Sequence, residues 1–140
     1  MGVMTDDTRR SVALDRIERA RYRVTNARGG SITIGEGDDA DFTPVELLLA
    51  AIAGCTAIDV DYLTTKRSEP VRFAVEALGE KLPEHVMSDL RVLLDVEFPD
   101  DEAGRAAQAR VPGAVATSHD RLCTVSRTVE HGVPVRSEAV

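Results

Sequence analysis

The chain has 140 residues, a length that suits one domain able to bury a core without disulfides or metals. Hydrophobic residues at 43% and charged residues at 29% describe a folding chain, not a disordered one. A formal net charge of −7, no tryptophan and only five other aromatics argue against nucleic acid or an anionic membrane as a partner, because both would be repelled and bases would find little to stack on.

Residues 1–10 are polar and charged and are expected to form a disordered tail, leaving residues 11–140 as a single domain. Arg9-Arg10 has no apolar region behind it and is not an export signal. The longest apolar stretch, residues 45–58, is interrupted by Glu46 and reads as too short to span a bilayer. A cytoplasmic protein is expected. Its two cysteines, Cys55 and Cys123, should then form no permanent disulfide, while a transient working one stays open.

From Val12 and Leu14 through Ala20, Tyr22 and Val24, apolar and charged residues alternate with the period of half-buried antiparallel strands. Asn26-Ala27-Arg28-Gly29-Gly30 supplies turn residues that tolerate positive φ, and Ile32 and Ile34 read as the returning strand. After an acidic loop comes Thr43-Pro44-Val45-Glu46, which has a capping hydroxyl, a proline at the first helical position and a glutamate three residues after the cap. The helix it starts is expected to reach about Lys66. It is apolar on every face, as a central core helix would be.

Alternation resumes at Val71, Phe73 and Val75 and again from Leu90 to Phe98, predicting two strands joined by residues 79–88. Residues 103–116 form helix, with a kink or break at Pro112-Gly113. Ser118 is the expected cap of a further helical stretch that stops at Gly132, and residues 133–140 could return as an edge strand. Strands, helix, strands, helices and strand in that order make an α+β fold, without the alternation of a parallel doubly wound sheet.

The run Thr43-Pro44-Val45-Glu46-Leu47-Leu48-Leu49-Ala50-Ala51-Ile52-Ala53-Gly54-Cys55-Thr56-Ala57-Ile58-Asp59-Val60 resembles the signature helix of the OsmC/Ohr superfamily, the osmotically inducible and organic hydroperoxide resistance proteins. Ser118-His119-Asp120-Arg121-Leu122-Cys123-Thr124-Val125-Ser126 resembles that family's second cysteine segment. The likeness extends from about residue 12 onward and is greatest to the less characterised OsmC-like branch. It implies antiparallel sheets wrapped around central helices in an intertwined homodimer, with active sites at the dimer interface.

The resemblance also implies an enzyme, a thiol-dependent peroxidase. Cys55 would attack the distal oxygen of a small organic hydroperoxide and become a sulfenic acid, Cys123 would condense with it to a disulfide, and an external dithiol would reopen that bond. A cysteine buried mid-helix has its pKa raised, so a cation must offset the burial. The family supplies an arginine from the N-terminal hairpin, where Arg28 is the best match and Arg23 the alternate. The family acid would stand at Val45. Glu46 follows it but points near the opposite helix face from Cys55 and reads first as the cap, and Asp59, one turn after Cys55, is a substitute. No cofactor is implied. His119 with Cys123 and Cys55 lacks zinc-site spacing, and Asp38-Asp39-Ala40-Asp41 lacks that of an EF-hand. The competing reading is a non-catalytic dimeric binding protein that kept the fold and an apolar cleft.

Overall fold

The computed structural model describes residues 8–140; most of the expected tail, residues 1–7, lies outside them. The described chain has five strands and three α-helices, and its α+β class is as the sequence predicts. It divides into two compact units at Leu47/Leu48.

The N-terminal unit is a three-stranded antiparallel sheet of β1 (Val12–Glu18), β2 (Arg21–Asn26) and β3 (Ser31–Ile34), in that order. Leu14 pairs with Val24, and Val24 with Ile32, so the alternation read from the sequence is the register of the sheet. The β2–β3 turn is held by Asn26, whose Oδ1 accepts from the backbone N–H groups of Arg28 and Gly30 at 3.0 and 2.9 Å. This is the local side-chain-to-backbone bonding that makes asparagine a turn residue. Gly29 takes φ 93° there, at no steric cost. In the acidic loop that follows, Asp41 accepts from the Arg21 guanidinium at 2.7 Å.

Helix α1 (Pro44–Thr64) starts as its capping box dictates. Glu46 Oε1 accepts from the Thr43 N–H at 2.8 Å while Thr43 Oγ1 accepts from the Glu46 N–H at 3.2 Å. At 21 residues the helix is, against the sequence reading, long and apolar enough to cross a membrane on length and composition. Ile52, Thr56, Val60 and Thr64, one per turn, are buried, which makes the helix a core element of the C-terminal unit.

The second sheet pairs β4 (Arg72–Lys81) with β5 (Met87–Glu97), antiparallel. The connection is shorter than expected, because β4 runs on through Gly79 by an irregularity between Leu78 and Glu80. An added Cβ at Gly79 would meet the flexible ends of the Leu90 and Met87 side chains at 2.8 and 2.9 Å, so a larger residue would require them to swing aside. Val96 and Phe98 pack with Ala107 of α2 (Glu102–Thr117), flanked by Phe73, Leu94 and Val111. Gln108 fastens this contact. Its Oε1 accepts from the Phe98 N–H and its Nε2 donates to the Val96 carbonyl, at 2.8 and 2.9 Å.

Three expectations are corrected here. Pro112 does not break α2, which is continuous. Pro112 and Gly113 lie on its exposed side while Ala107 and Ala114 are buried, so water can take the place of the lost hydrogen bond while packing holds the axis. Ser118 starts no α-helix. A π-helical turn, Ser118–Leu122, follows α2, and Cys123 is the N-cap of α3 (Thr124–His131). Gly132, with φ 61°, stops that helix as expected. Residues 133–140 form no strand; Pro134 has no N–H to donate to a ladder, and Val135 is 90% exposed.

Candidate functional site

α1 brings three polar side chains to one region of the C-terminal unit. Cys55 and Asp59 are one turn apart and share a face, and Thr56 is buried beside them. The fourth group arrives from 67 residues away. Thr56 Oγ1 lies 3.8 Å from Cys123 Sγ while also donating to the Ile52 carbonyl at 3.1 Å. The two sulfurs and a carboxylate oxygen of Asp59 all lie within 4.8 Å of one another, and both cysteines are free thiols.

Cys123 owes its orientation to the π turn. Its N–H bonds to the Ser118 carbonyl at 2.8 Å, five residues back, and its own φ and ψ of −70° and 96° leave the helical region. That wide turn sets Cys123 at the start of α3, where its sulfur accepts from the Ser126 N–H at 3.4 Å. A cysteine thus does what serine or aspartate usually does at a cap, and the positive end of the helix dipole faces its sulfur. The Ser126 hydroxyl is 3.2 Å from the same sulfur; it accepts from the thiol and would donate to the thiolate. His119 braces the arrangement, its Nε2 bonding Glu130 of α3 at 2.8 Å and its Nδ1 bonding Asp120 at 3.0 Å.

These contacts give the two thiols opposite tendencies. Burial opposes ionisation of Cys123, but the Ser126 hydroxyl and N–H, the Cys55 thiol and Thr56 together outweigh it and hold Cys123 below the ordinary thiol value. Cys55 is pushed above that value, first by burial and then by Cys123 and the charge of Asp59, against the pull of a backbone hydrogen bond at Val125. Cys123 is fully buried whereas Cys55 is partly exposed. The deeper sulfur is therefore the more readily ionised of the two.

An apolar cavity of about 290 Å³ lies between α1 and the β4–β5 sheet. Leu49, Ile52, Leu90 and Val92 line it, and Thr56 and Ser126, both contacts of the Cys123 sulfur, stand in its wall.

Of the residues singled out by sequence, the structure brings Cys55, Cys123 and Asp59 together. Glu46 is engaged in the capping box of α1. Arg28 is exposed in the β2–β3 turn, and Arg23 is exposed on β2. His119 is tied to carboxylates. Sequence reasoning missed Thr56, Ser118 and Ser126. The spacing Cys123-x-x-Ser126, a cap residue and a hydroxyl at the third helical position, was a usable signal for the last.

Residues 35–138 match the model of the OsmC-like protein family. The chain belongs to that family. The fold of this OsmC-like chain is shared with solved structures of low identity. An OsmC-like protein from Mycoplasma pneumoniae is 13% identical over 89% of each chain, with a TM-score of 0.70. A hypothetical protein from Aquifex aeolicus is 23% identical over 87% of each chain, at 0.65. The organic hydroperoxide resistance protein OhrB of Bacillus subtilis is 16% identical, covering 86% of this chain and 90% of its own, at 0.55. No curated protein matches the OsmC-like chain.

Proposed function

We propose that the protein is a thiol-dependent peroxidase that reduces small organic hydroperoxides with the pair Cys55 and Cys123. The observation that carries this reading is the meeting of two free thiols from distant segments, their sulfurs within 4.8 Å of one another, beside an apolar cavity. An alkyl chain fits such a cavity better than a charged substrate does.

The reactive form of the pair is singly ionised, with the remaining proton held between Cys55 and Cys123. When a hydroperoxide reaches the more exposed Cys55, that proton passes to Cys123. Cys55 thiolate attacks the distal oxygen, the O–O bond breaks, and the leaving alkoxide takes the proton back from Cys123. The products are an alcohol, a Cys55 sulfenic acid and a Cys123 thiolate. Cys123 then attacks the Cys55 sulfur, forming the disulfide and expelling hydroxide, which a solvent proton turns into water. A dithiol supplies two electrons to restore both thiols. Arg28 is the residue proposed for the cationic role, as its permanently charged guanidinium would favour thiolate and alkoxide alike. Glu46 contributes by fixing the start of the helix that carries Cys55.

The working unit in this reading is a cytoplasmic homodimer. Apolar side chains left exposed in each unit support it, Val12 at 65% in the N-terminal sheet and Ile58 and Tyr62 at 59% and 75% on α1.

The test is consumption of cumene hydroperoxide by the reduced protein with a dithiol. Wild type should turn over, Cys55→Ser should consume none, and Cys123→Ser should complete one turnover and stop. Arg28→Met should slow the first step. Failure of wild type with every dithiol would leave an apolar binding module in place of an enzyme.

A further inference from the structure

The peroxidase reading leaves Asp59 unexplained. A carboxylate beside a sulfur that must ionise works against that ionisation, and here it helps to push Cys55 up. Yet the side chain is held there deliberately by the fold. Ser118, fully buried, donates from its hydroxyl to Asp59 Oδ2 at 2.8 Å, which leaves the other carboxylate oxygen free. Two sulfurs and a carboxylate oxygen within 4.8 Å of one another, with a hydroxyl orienting the carboxylate, have the composition of a metal centre with an outer hydrogen-bonded shell.

We infer that the reduced protein binds a zinc-class divalent ion through Cys55 Sγ, Cys123 Sγ and a carboxylate oxygen of Asp59, with a fourth position open to solvent. A borderline-soft ion suits two thiolates and one carboxylate, whereas calcium and magnesium prefer oxygen alone. Sulfurs bound to one tetrahedral zinc at about 2.3 Å each stand ~3.8 Å apart, so the group needs to close by no more than about an ångström. Binding requires both sulfurs as thiolates and expels whatever protons they hold, making affinity rise with pH, and the ion's charge reverses the penalty that Asp59 imposes on Cys55. Donors of the Ser126 cap already favour thiolate at Cys123. His119, considered from sequence as a ligand, is outside the set, because both ring nitrogens are engaged by carboxylates.

The ion and a peroxide would compete for the same sulfurs, but the inference does not depend on peroxidase activity. Its test is titration of the reduced full chain with cobalt(II) in the absence of oxygen. About one equivalent should bring up sulfur-to-cobalt charge transfer and the intense visible bands of tetrahedral cobalt, and zinc should then erase both. Cys55→Ser and Cys123→Ser should each weaken the charge-transfer band and the affinity. Asp59→Asn, which can still accept from Ser118, should weaken binding at least about ten-fold, and Ser118→Ala about ten-fold, with unchanged circular dichroism of the metal-free proteins. No charge-transfer band in wild type would overturn the assignment, as would an affinity that Asp59→Asn leaves unchanged. Should Asp59→Asn fail to fold, Cys55→Ser, at a partly exposed position, decides in its place: full retention of the wild-type spectrum there is equally fatal.

Discussion

Ser126→Ala isolates the feature that makes Cys123 the acidic member of the pair. The substitution removes the hydroxyl 3.2 Å from Sγ but keeps the backbone N–H that caps it at 3.4 Å. A hydrogen bond to a charged acceptor contributes about 1.5–3 kcal/mol, and one pKa unit corresponds to about 1.4 kcal/mol. Loss of the hydroxyl should thus raise the Cys123 pKa by about one to two units. The measurement is best made in a Cys55→Ser background, where Cys123 is the sole thiol and a hydroxyl replaces its former thiol donor. Thiolate absorbance in the ultraviolet against pH suits it, since a fully buried sulfur resists alkylation whatever its ionisation. With Ser126 present the midpoint should fall below the ordinary thiol value of about 8.5, and with alanine it should move up. A Cys55→Ser midpoint at or above the ordinary value, or one that Ser126→Ala leaves in place, would refute the assignment of Cys123 as the more acidic thiol.

The opposite shifts of the two thiols also predict how stability depends on pH. The folded value of Cys123 is depressed, so its contribution is present in full above the unfolded thiol value and is lost as pH falls through the folded one. The folded value of Cys55 is raised, so its contribution is present in full below the unfolded value and is lost as pH rises through the folded one. In urea denaturation between about pH 7 and pH 9, the stability deficit of Cys123→Ser should therefore grow with pH and that of Cys55→Ser should shrink; parallel curves for the two would contradict the assignment. Gly104→Ala probes the start of α2. An added Cβ would lie 1.9 Å from the Pro99 carbonyl oxygen, and the forced shift also pulls the Gly104 N–H from the Asp101 cap it bonds at 2.7 Å. Overpacking and the lost cap should together cost about 2 kcal/mol or more, read as a lower urea midpoint, and a midpoint equal to wild type would show that the helix start yields freely.

How far the sequence could be read depends on the range of the interactions concerned. The capping box at Thr43 and Glu46, the Asn26 turn and the Gly132 stop are each completed within five residues, and each was legible. Strand alternation in β1, β2 and β5 also emerged, because one face of each ribbon differs from the other. The errors fall where tertiary context decides. Proline in α2 is tolerated because packing on the opposite face holds the helix, and β4 continues past Gly79 because Glu80 and Lys81 pair with Ser88 and Met87. Residues 133–140 have apolar alternation but pair with neither sheet.

The candidate site divides in the same way. Cys55 and Asp59 could be set on one face by counting along α1, and Cys123 came from the resemblance of its segment. What could not be counted was the π turn, whose wider hydrogen bond from the Cys123 N–H to the Ser118 carbonyl shifts everything after it relative to α-helical spacing. Had α2 run on as regular helix through Cys123, the sulfur would have had no cap donors, since residues inside a helix give their N–H groups to carbonyls four residues back. The same turn contains Ser118, the residue that holds Asp59. One local departure from α-geometry therefore both favours ionisation of the second sulfur and anchors the carboxylate beside the first. Disruption of the turn should abolish the thiol pair and the metal centre together, whereas Ser126→Ala should disturb chiefly the thiol and Ser118→Ala chiefly the carboxylate.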